Sequence, residues 1–161
     1  MPIKRTSRFE DFLIILSYGL SERTWLYYIL NILWGFPLTL LGYIVLLFSL
    51  PFGRVMKLNG TLCFVFKKEK PWGMSIGMVI FIGSNSVYDI QMLEHEYGHT
   101  MQNAIFGPLT LFLVSIPSAV RFWFRSYRTS IGKPPKTDYD AVWFEGSATK
   151  IGHLTSKFYK E

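Results

Sequence analysis

The sequence is poor in cysteine, histidine and, over one long stretch, charge, and each shortage narrows the class of protein. Its single cysteine, Cys63, excludes an intrachain disulfide. Only three histidines occur among 161 residues, and two of them fall in one short motif. No nucleic-acid-binding motif accompanies the net charge of +6, so we expect no nucleic-acid partner and favour the surface of an anionic lipid bilayer.

Charged residues are absent from Thr24 to Gly53. The apolar run at 25–50 has the length of a transmembrane helix, which needs about 20 apolar residues. We therefore predict a first membrane span there. Gly35 and Pro37 in its middle allow a kink or a split into a helical hairpin, and a buried core helix is the alternative.

Two further segments are predicted to contact the bilayer. A second apolar run ends at Arg121, and we predict a transmembrane helix over 106–124. The N-terminal segment 1–23 is basic and partly apolar but lacks a small-residue cleavage site, so we expect an interfacial helix there rather than a signal peptide. Basic residues near the N-terminus and after the second span favour an orientation with both termini in the cytoplasm. The expected location is the inner, cytoplasmic membrane of a bacterium.

Two β-prone runs lie between the predicted spans. Thr61 to Phe66 and Met74 to Ile82 are rich in β-branched and aromatic residues and are separated by a polar turn, which predicts a β-hairpin over 61–82. A third short membrane helix over 72–88 is the alternative. The predicted fold is thus a mainly α integral membrane protein with a small β-hairpin, one domain over 1–161 built on two to three membrane helices.

The most specific motif is His-Glu-x-x-His at residues 95–99. Residues four apart lie on one face of a helix, so His95 and His99 can bind one zinc ion, while Glu96 can act as general base on a zinc-bound water. Asp89 as N-cap and the proline-free run that follows predict the carrying helix over 89–105. An accidental pair of histidines on an ordinary surface helix is the alternative.

A third protein ligand is expected because two histidines leave a catalytic zinc site incomplete. Gln102 and Ile105 stand where a metzincin has glycine and histidine, so that class is excluded. Glu145 lies in a predicted helix over 138–154, next to Trp143 and Phe144. A carboxylate in such apolar surroundings is costly to bury unless it binds a cation, so Glu145 is the predicted third ligand.

These two motifs resemble those of the gluzincins, zinc peptidases with His-Glu-x-x-His on one helix and a glutamate ligand on a later one. The downstream pattern is similar to that of CAAX-prenyl and heat-shock membrane proteases: glutamate, then alanine three, aspartate four and a small residue seven positions on. Here these places hold Glu145, Ala148, Thr149 and Gly152. The resemblance implies that Thr149 replaces an aspartate that supports a zinc-binding histidine.

The resemblance implies a minimal gluzincin-like catalytic core that binds one Zn²⁺ per chain and hydrolyses peptides or membrane-proximal protein segments. It also implies an edge strand that binds extended substrate, for which the candidates are Met74, Ile76, Met78 and Ile80. Tyr88, Tyr139 and His153 are candidate donors to the oxyanion. Two alternatives stay open: a zinc-binding membrane protein with impaired catalysis, and a non-enzymatic membrane interaction protein.

Overall fold

The computed structural model describes residues 7–157, which form a mainly helical protein with one small mixed sheet. The helices are α1 (Arg8–Glu22), α2 (Thr24–Ile29), α3 (Phe36–Ser49), α4 (Ile90–Phe106), α5 (Ile116–Ser130) and α6 (Trp143–Thr155). Two π-helical turns, Leu30–Trp34 and Leu111–Ser115, precede α3 and α5. The strands are β1 (Gly53–Leu58), β2 (Thr61–Phe66), β3 (Gly73–Ile76) and β4 (Val79–Gly83).

The sheet consists of two hairpins joined side by side, in the order β1-β2-β4-β3. Strands β1 and β2 are antiparallel, as are β3 and β4, whereas the central strands β2 and β4 run parallel. Asn59 and Gly60 between β1 and β2 both have positive φ, 49° and 78°, the backbone that a tight hairpin turn needs. The predicted single hairpin over 61–82 is therefore wrong, because its two runs pair with each other in parallel, through β2 and β4, and each of these strands has its antiparallel partner elsewhere.

The run predicted as one strand from Met74 to Ile82 is also divided. Gly77 has φ of 57° and reverses the chain, so β3 lies at the edge of the sheet and β4 in its interior. Every residue of β4 is buried. Only the first part of the predicted strand, Gly73–Ile76, can therefore act as an edge.

The predicted span at 25–50 is two helices that meet at 91°, rather than one. The π-helical turn and Gly35 form the bend, and Pro37 starts α3 in the first turn, where its missing N–H is not needed. The Asn103 amide of α4 lies inside this bend, and its Nδ2 donates to Asn31 Oδ1 at 2.8 Å and to Thr39 Oγ1 at 3.2 Å. These hydrogen bonds hold the bend against α4.

The predicted span at 106–124 is likewise not a straight helix. Gly107, with φ of 56°, ends α4, and Pro108 follows. The chain turns by 118° into Leu111–Ser130. No residue of α5 is buried.

Among residues 7–157, no single helix is both long enough and apolar enough to cross a bilayer. Two bent pairs meet the requirement together by length and composition, Thr24–Trp34 with Phe36–Phe52 and Ile90–Leu109 with Leu111–Ser130.

The predicted interfacial segment 1–23 contains α1; its residues 1–6 lie outside the described residues. Ser7 and Glu10 form a capping box at the start of α1. Leu13 and Leu20 are buried, and the Lys150 ammonium of α6 lies 2.8 Å from the Glu10 carboxylate. Helix α1 therefore packs against α6 through one face.

Candidate metal centre

Helix α4 carries the His-Glu-x-x-His motif, as the sequence predicted. The Asp89 side chain accepts a hydrogen bond from the Met92 amide at 3.1 Å and caps the first turn. The four-residue spacing places the rings of His95 and His99 on one face, with their Nε2 atoms 3.2 Å apart. Both rings are partly buried.

Helix α6 crosses α4 at very close range because glycine occupies the contact points. A Cβ at Gly98 would overlap the carbonyl oxygen of Ala148, and a Cβ at Gly152 would overlap that of Glu94. Gly98 therefore serves helix packing. This close approach brings the first turn of α6, with Glu145, to the two histidines.

His95, His99 and Glu145 together form one group of possible metal ligands. Glu145 Oε2 lies 3.1 Å from His95 Nε2 and 3.3 Å from His99 Nε2. Three atoms bound at zinc–ligand distances around a tetrahedral ion are about 3.3 Å apart. The donor triangle therefore has the size of one face of a zinc tetrahedron.

Glu145 is fully buried, with a side-chain exposure of 0%. Burial raises the pKa of this carboxyl group, but its contacts with the imidazoles of His95 and His99, which favour the ionised form when they carry positive charge, outweigh burial and hold the pKa well below its usual range. Its second oxygen, Oε1, is buried and has no hydrogen-bond partner among the described residues. An ionised, incompletely satisfied carboxylate is the group that a bound cation stabilises.

The Gln102 amide fixes the tautomer of His99. Gln102 Nε2 donates to the Phe144 carbonyl at 2.8 Å and to Ser147 Oγ at 2.9 Å, so Gln102 Oε1 faces His99 Nδ1, 2.8 Å away. An oxygen there requires a proton on Nδ1. In neutral His99, Nε2 then carries a lone pair that points into the donor triangle.

His95 is fixed in the same way by a different partner. Its Nδ1 lies 2.8 Å from Thr149 Oγ1, and the Thr149 hydroxyl donates to Asp140 Oδ2 at 2.9 Å. Because the hydroxyl proton is directed to Asp140, Thr149 accepts the proton of His95 Nδ1.

All three facing atoms of the triangle are therefore acceptors when both imidazoles are neutral. Three acceptors within 3.3 Å of one another repel unless a positive charge, a metal cation or shared protons, lies among them. The residues present fit zinc, since two imidazoles and one carboxylate form a common catalytic zinc set with one position left open.

Glu96 lies beside the triangle without belonging to it. Its side chain is buried, and the Cα of Gly73 on strand β3 sits so close that an added Cβ would be 3.0 Å from Glu96 Oε1. The edge strand of the sheet therefore lies against the carboxylate that the motif predicts as general base.

The predicted substrate-binding residues divide into two pairs. Met74 is exposed and Ile76 partly exposed on β3. Met78, in the turn before β4, and Ile80, within β4, are both buried in the core, so their assignment to an edge strand is wrong. The single-strand prediction failed because Gly77 reverses the chain between the two pairs.

The three predicted oxyanion donors, Tyr139, His153 and Tyr88, lie in different parts of the structure. Tyr139 lies next to the site, with its ring centroid 6.1 Å from that of His95, and the guanidinium groups of Arg121 and Arg125 stack on it. Burial raises the pKa of Tyr139 to about 12, and the nearby Glu145 carboxylate acts in the same direction. The phenol therefore keeps its proton at neutral pH.

His153 and Tyr88 do not belong to the group of three ligands. His153 lies on a later turn of α6 than Glu145, and its Nδ1 is 3.0 Å from the buried carboxylate of Glu94 on α4. Tyr88 is 91% exposed and lines a surface cleft of about 290 Å³ together with Arg54 and Val65.

Sequence reasoning overlooked Gln102 and Asp140. The first was considered only as a departure from the metzincin pattern, and no role in the site was predicted for the second. The available signal for Gln102 was its spacing, one turn beyond His99 on the same helix.

Comparison of the chain with protein-family models, with characterised proteins and with solved structures found no match.

Proposed function

We propose that this chain is a zinc-dependent peptidase that hydrolyses peptide bonds at or in a membrane. The observation that carries the proposal is the triangle of acceptor atoms from His95, His99 and Glu145, which has the dimensions of a zinc tetrahedron face. Glu96, buried beside the triangle, adds the carboxylate that peptide hydrolysis requires as a base.

Each residue then has a defined task. Bound zinc would polarise a peptide carbonyl and lower the pKa of a water molecule toward 7. Glu96 accepts the proton of the attacking water and delivers it to the leaving amine. The Tyr139 hydroxyl keeps its proton and would donate it in a hydrogen bond to the oxygen that becomes negative in the transition state.

Strand β3 supports the choice of a peptide as substrate. It is the edge strand beside β4, and Gly73 at its start lies against Glu96. An extended peptide that pairs with a free strand edge forms main-chain hydrogen bonds without regard to its sequence. A peptide added along β3 would pass close to Glu96.

The proposed setting is a lipid bilayer. Large apolar side chains are exposed along both bent helix pairs, whereas soluble proteins rarely expose large contiguous apolar areas. In the first pair these residues include Ile29, Ile32, Leu33, Phe36, Leu40, Leu47 and Phe48, and in the second Phe112, Ile116, Val120, Trp123 and Phe124. Membrane-proximal segments of proteins are accordingly the proposed substrates.

The variant Glu96→Gln tests the mechanism. We expect purified Glu96→Gln protein to keep its zinc and to lose hydrolysis of fluorogenic peptides by about 10²–10⁴-fold, the contribution typical of a general base. Glu22→Gln, an exposed glutamate of α1, is the matched control and should retain wild-type activity.

Undiminished hydrolysis by Glu96→Gln would contradict the assigned base. If zinc-loaded wild-type protein in vesicles cleaves neither the peptides nor a mixture of membrane proteins, a non-catalytic zinc protein replaces the peptidase.

A further inference from the structure

A chain of two hydrogen bonds leads from the metal centre to an acidic residue in the preceding loop. His95 Nδ1 and Thr149 Oγ1 are 2.8 Å apart, and Thr149 Oγ1 and Asp140 Oδ2 are 2.9 Å apart. We propose that Asp140 is a positioning residue of the metal centre, acting on His95 through the Thr149 hydroxyl; this inference rests on the zinc site proposed above.

The proton directions along the chain are determined by the chemistry of its ends. A carboxylate only accepts, so the Thr149 hydroxyl must donate to Asp140. The hydroxyl oxygen then accepts from His95 Nδ1–H, which leaves His95 Nε2 as the atom with a lone pair toward the triangle. Carboxylate, hydroxyl and imidazole are therefore polarised in one direction, which makes Nε2 a better donor to a cation.

Asp140 is held in place by contacts that involve its backbone and its neighbours. Gly146 at the start of α6 allows the Asp140 carbonyl to approach closely, since a Cβ at Gly146 would lie 2.7 Å from that oxygen. Arg121 of α5 donates to the carbonyls of Asp138 and Tyr139 at 2.7 Å and 3.0 Å. The loop is thus anchored by Arg121 just before Asp140 and packed closely against Gly146 at Asp140 itself.

The Asp140 carboxylate has no competing ion pair within residues 7–157. The nearby guanidinium of Arg121 contacts main-chain oxygens and the Tyr139 ring. The Asp140 carboxylate therefore acts on the site through the hydrogen bond that it accepts from the Thr149 hydroxyl.

This arrangement explains how the site can work with threonine where the gluzincin-like pattern has aspartate. The side chain at position 149 still reaches His95, and the missing charge is provided by a residue nine positions earlier. Thr149 alone would give a neutral acceptor, whereas Thr149 bound to Asp140 gives an acceptor with a carboxylate behind it.

Zinc affinity of isosteric variants tests this inference. In a chelator competition with detergent-purified protein, we expect Asp140→Asn to bind zinc about tenfold more weakly, the lower end for outer partners of a ligand because Asp140 is exposed. Thr149→Val should lose at least as much. The matched control is Asp138→Asn, which removes the same charge from the same loop and should bind zinc like wild type.

Two double variants separate a connected chain from independent effects. Asp140→Asn with Thr149→Val should be no worse than Thr149→Val alone, because the hydrogen-bonded connection from Asp140 to His95 runs through this hydroxyl. Asp140→Asn with Thr149→Asp should regain most of the wild-type affinity. Thermal unfolding of each metal-free variant shows whether a change in affinity reflects misfolding.

The outcomes distinguish this inference from the proposed function. If wild type binds zinc and Asp140→Asn binds it equally well, or if the two losses add in the double variant, the role of Asp140 is overturned and the zinc site stands. Absence of zinc binding in wild type overturns both.

Discussion

Gln102 contacts His99, the second proposed histidine ligand, and it differs from the Asp140–Thr149 pair in being neutral and fully buried. Its amide accepts from His99 and donates to two groups of α6, so it connects the ligand to the helix that carries Glu145. We expect Gln102→Met, which keeps the volume and removes these hydrogen bonds, to weaken zinc binding about 10–100-fold in chelator competition.

Gln91→Met is the control for this experiment, because Gln91 is exposed in the first turn of the same helix. Its zinc affinity should equal that of wild type. Equal affinity of Gln102→Met and Gln91→Met would show that the Gln102 amide does not orient His99.

At the scale of single residues, the sequence indicated the three proposed ligands of the site, but it did not indicate the residues that hydrogen-bond to those ligands. The four-residue spacing predicted the pairing of His95 and His99, and an acidic residue in apolar surroundings indicated Glu145. Outer contacts depend on how α6 is rotated against α4 and on the path of one loop. Neither quantity is encoded in local spacing, which is why Asp140 and Gln102 were overlooked.

At the scale of elements, the bend between α2 and α3 would determine how the first apolar segment enters the proposed bilayer. Such a helix pair can cross the bilayer or can enter and leave it on the same side. In both cases the bend is the part farthest from the two ends of the pair, Thr24 and Phe52. Leu33 at the bend is 74% exposed. In a lipid setting, a lysine there costs about 2.5–3.5 kcal/mol, whereas in water it costs almost nothing.

We therefore expect Leu33→Lys to reduce the fraction of protein recovered in membranes after alkaline extraction. Tyr88→Lys, at an exposed position outside both bent pairs, should leave this fraction unchanged. Equal recovery of Leu33→Lys, Tyr88→Lys and wild type would contradict the membrane placement of the bend.

The elements were predicted from sequence to different degrees. The capped metal helix was predicted to within a residue at each end, since Asp89 and Gly107 are strong start and stop signals. The sheet was not predicted correctly, because strand β1 was overlooked. It contains the basic residues Arg54 and Lys57 and so lacks the apolar pattern of a strand. The Asn59-Gly60 pair, a strong signal for a two-residue hairpin, would have indicated its pairing with β2.

At the scale of the whole molecule, the proposed metal centre connects parts of the chain that are far apart in sequence. His99 and Glu145 are separated by 46 residues, and between them the chain passes through α5 and its loop. Close packing at Gly98 and Gly152 brings α4 and α6 together. A bound cation would also link these two helices, because its ligands come from both of them. Metal binding to such a site contributes directly to folding stability.

Zinc content per chain tests the central claim most directly, and it should be measured by elemental analysis of detergent-purified wild type beside His99→Ala and Glu145→Ala. We predict about one zinc per wild-type chain and loss of the metal in both variants, because either substitution leaves two protein ligands. Wild-type protein that contains no zinc after resupply, or variants that keep a full equivalent, would contradict the three-residue zinc site.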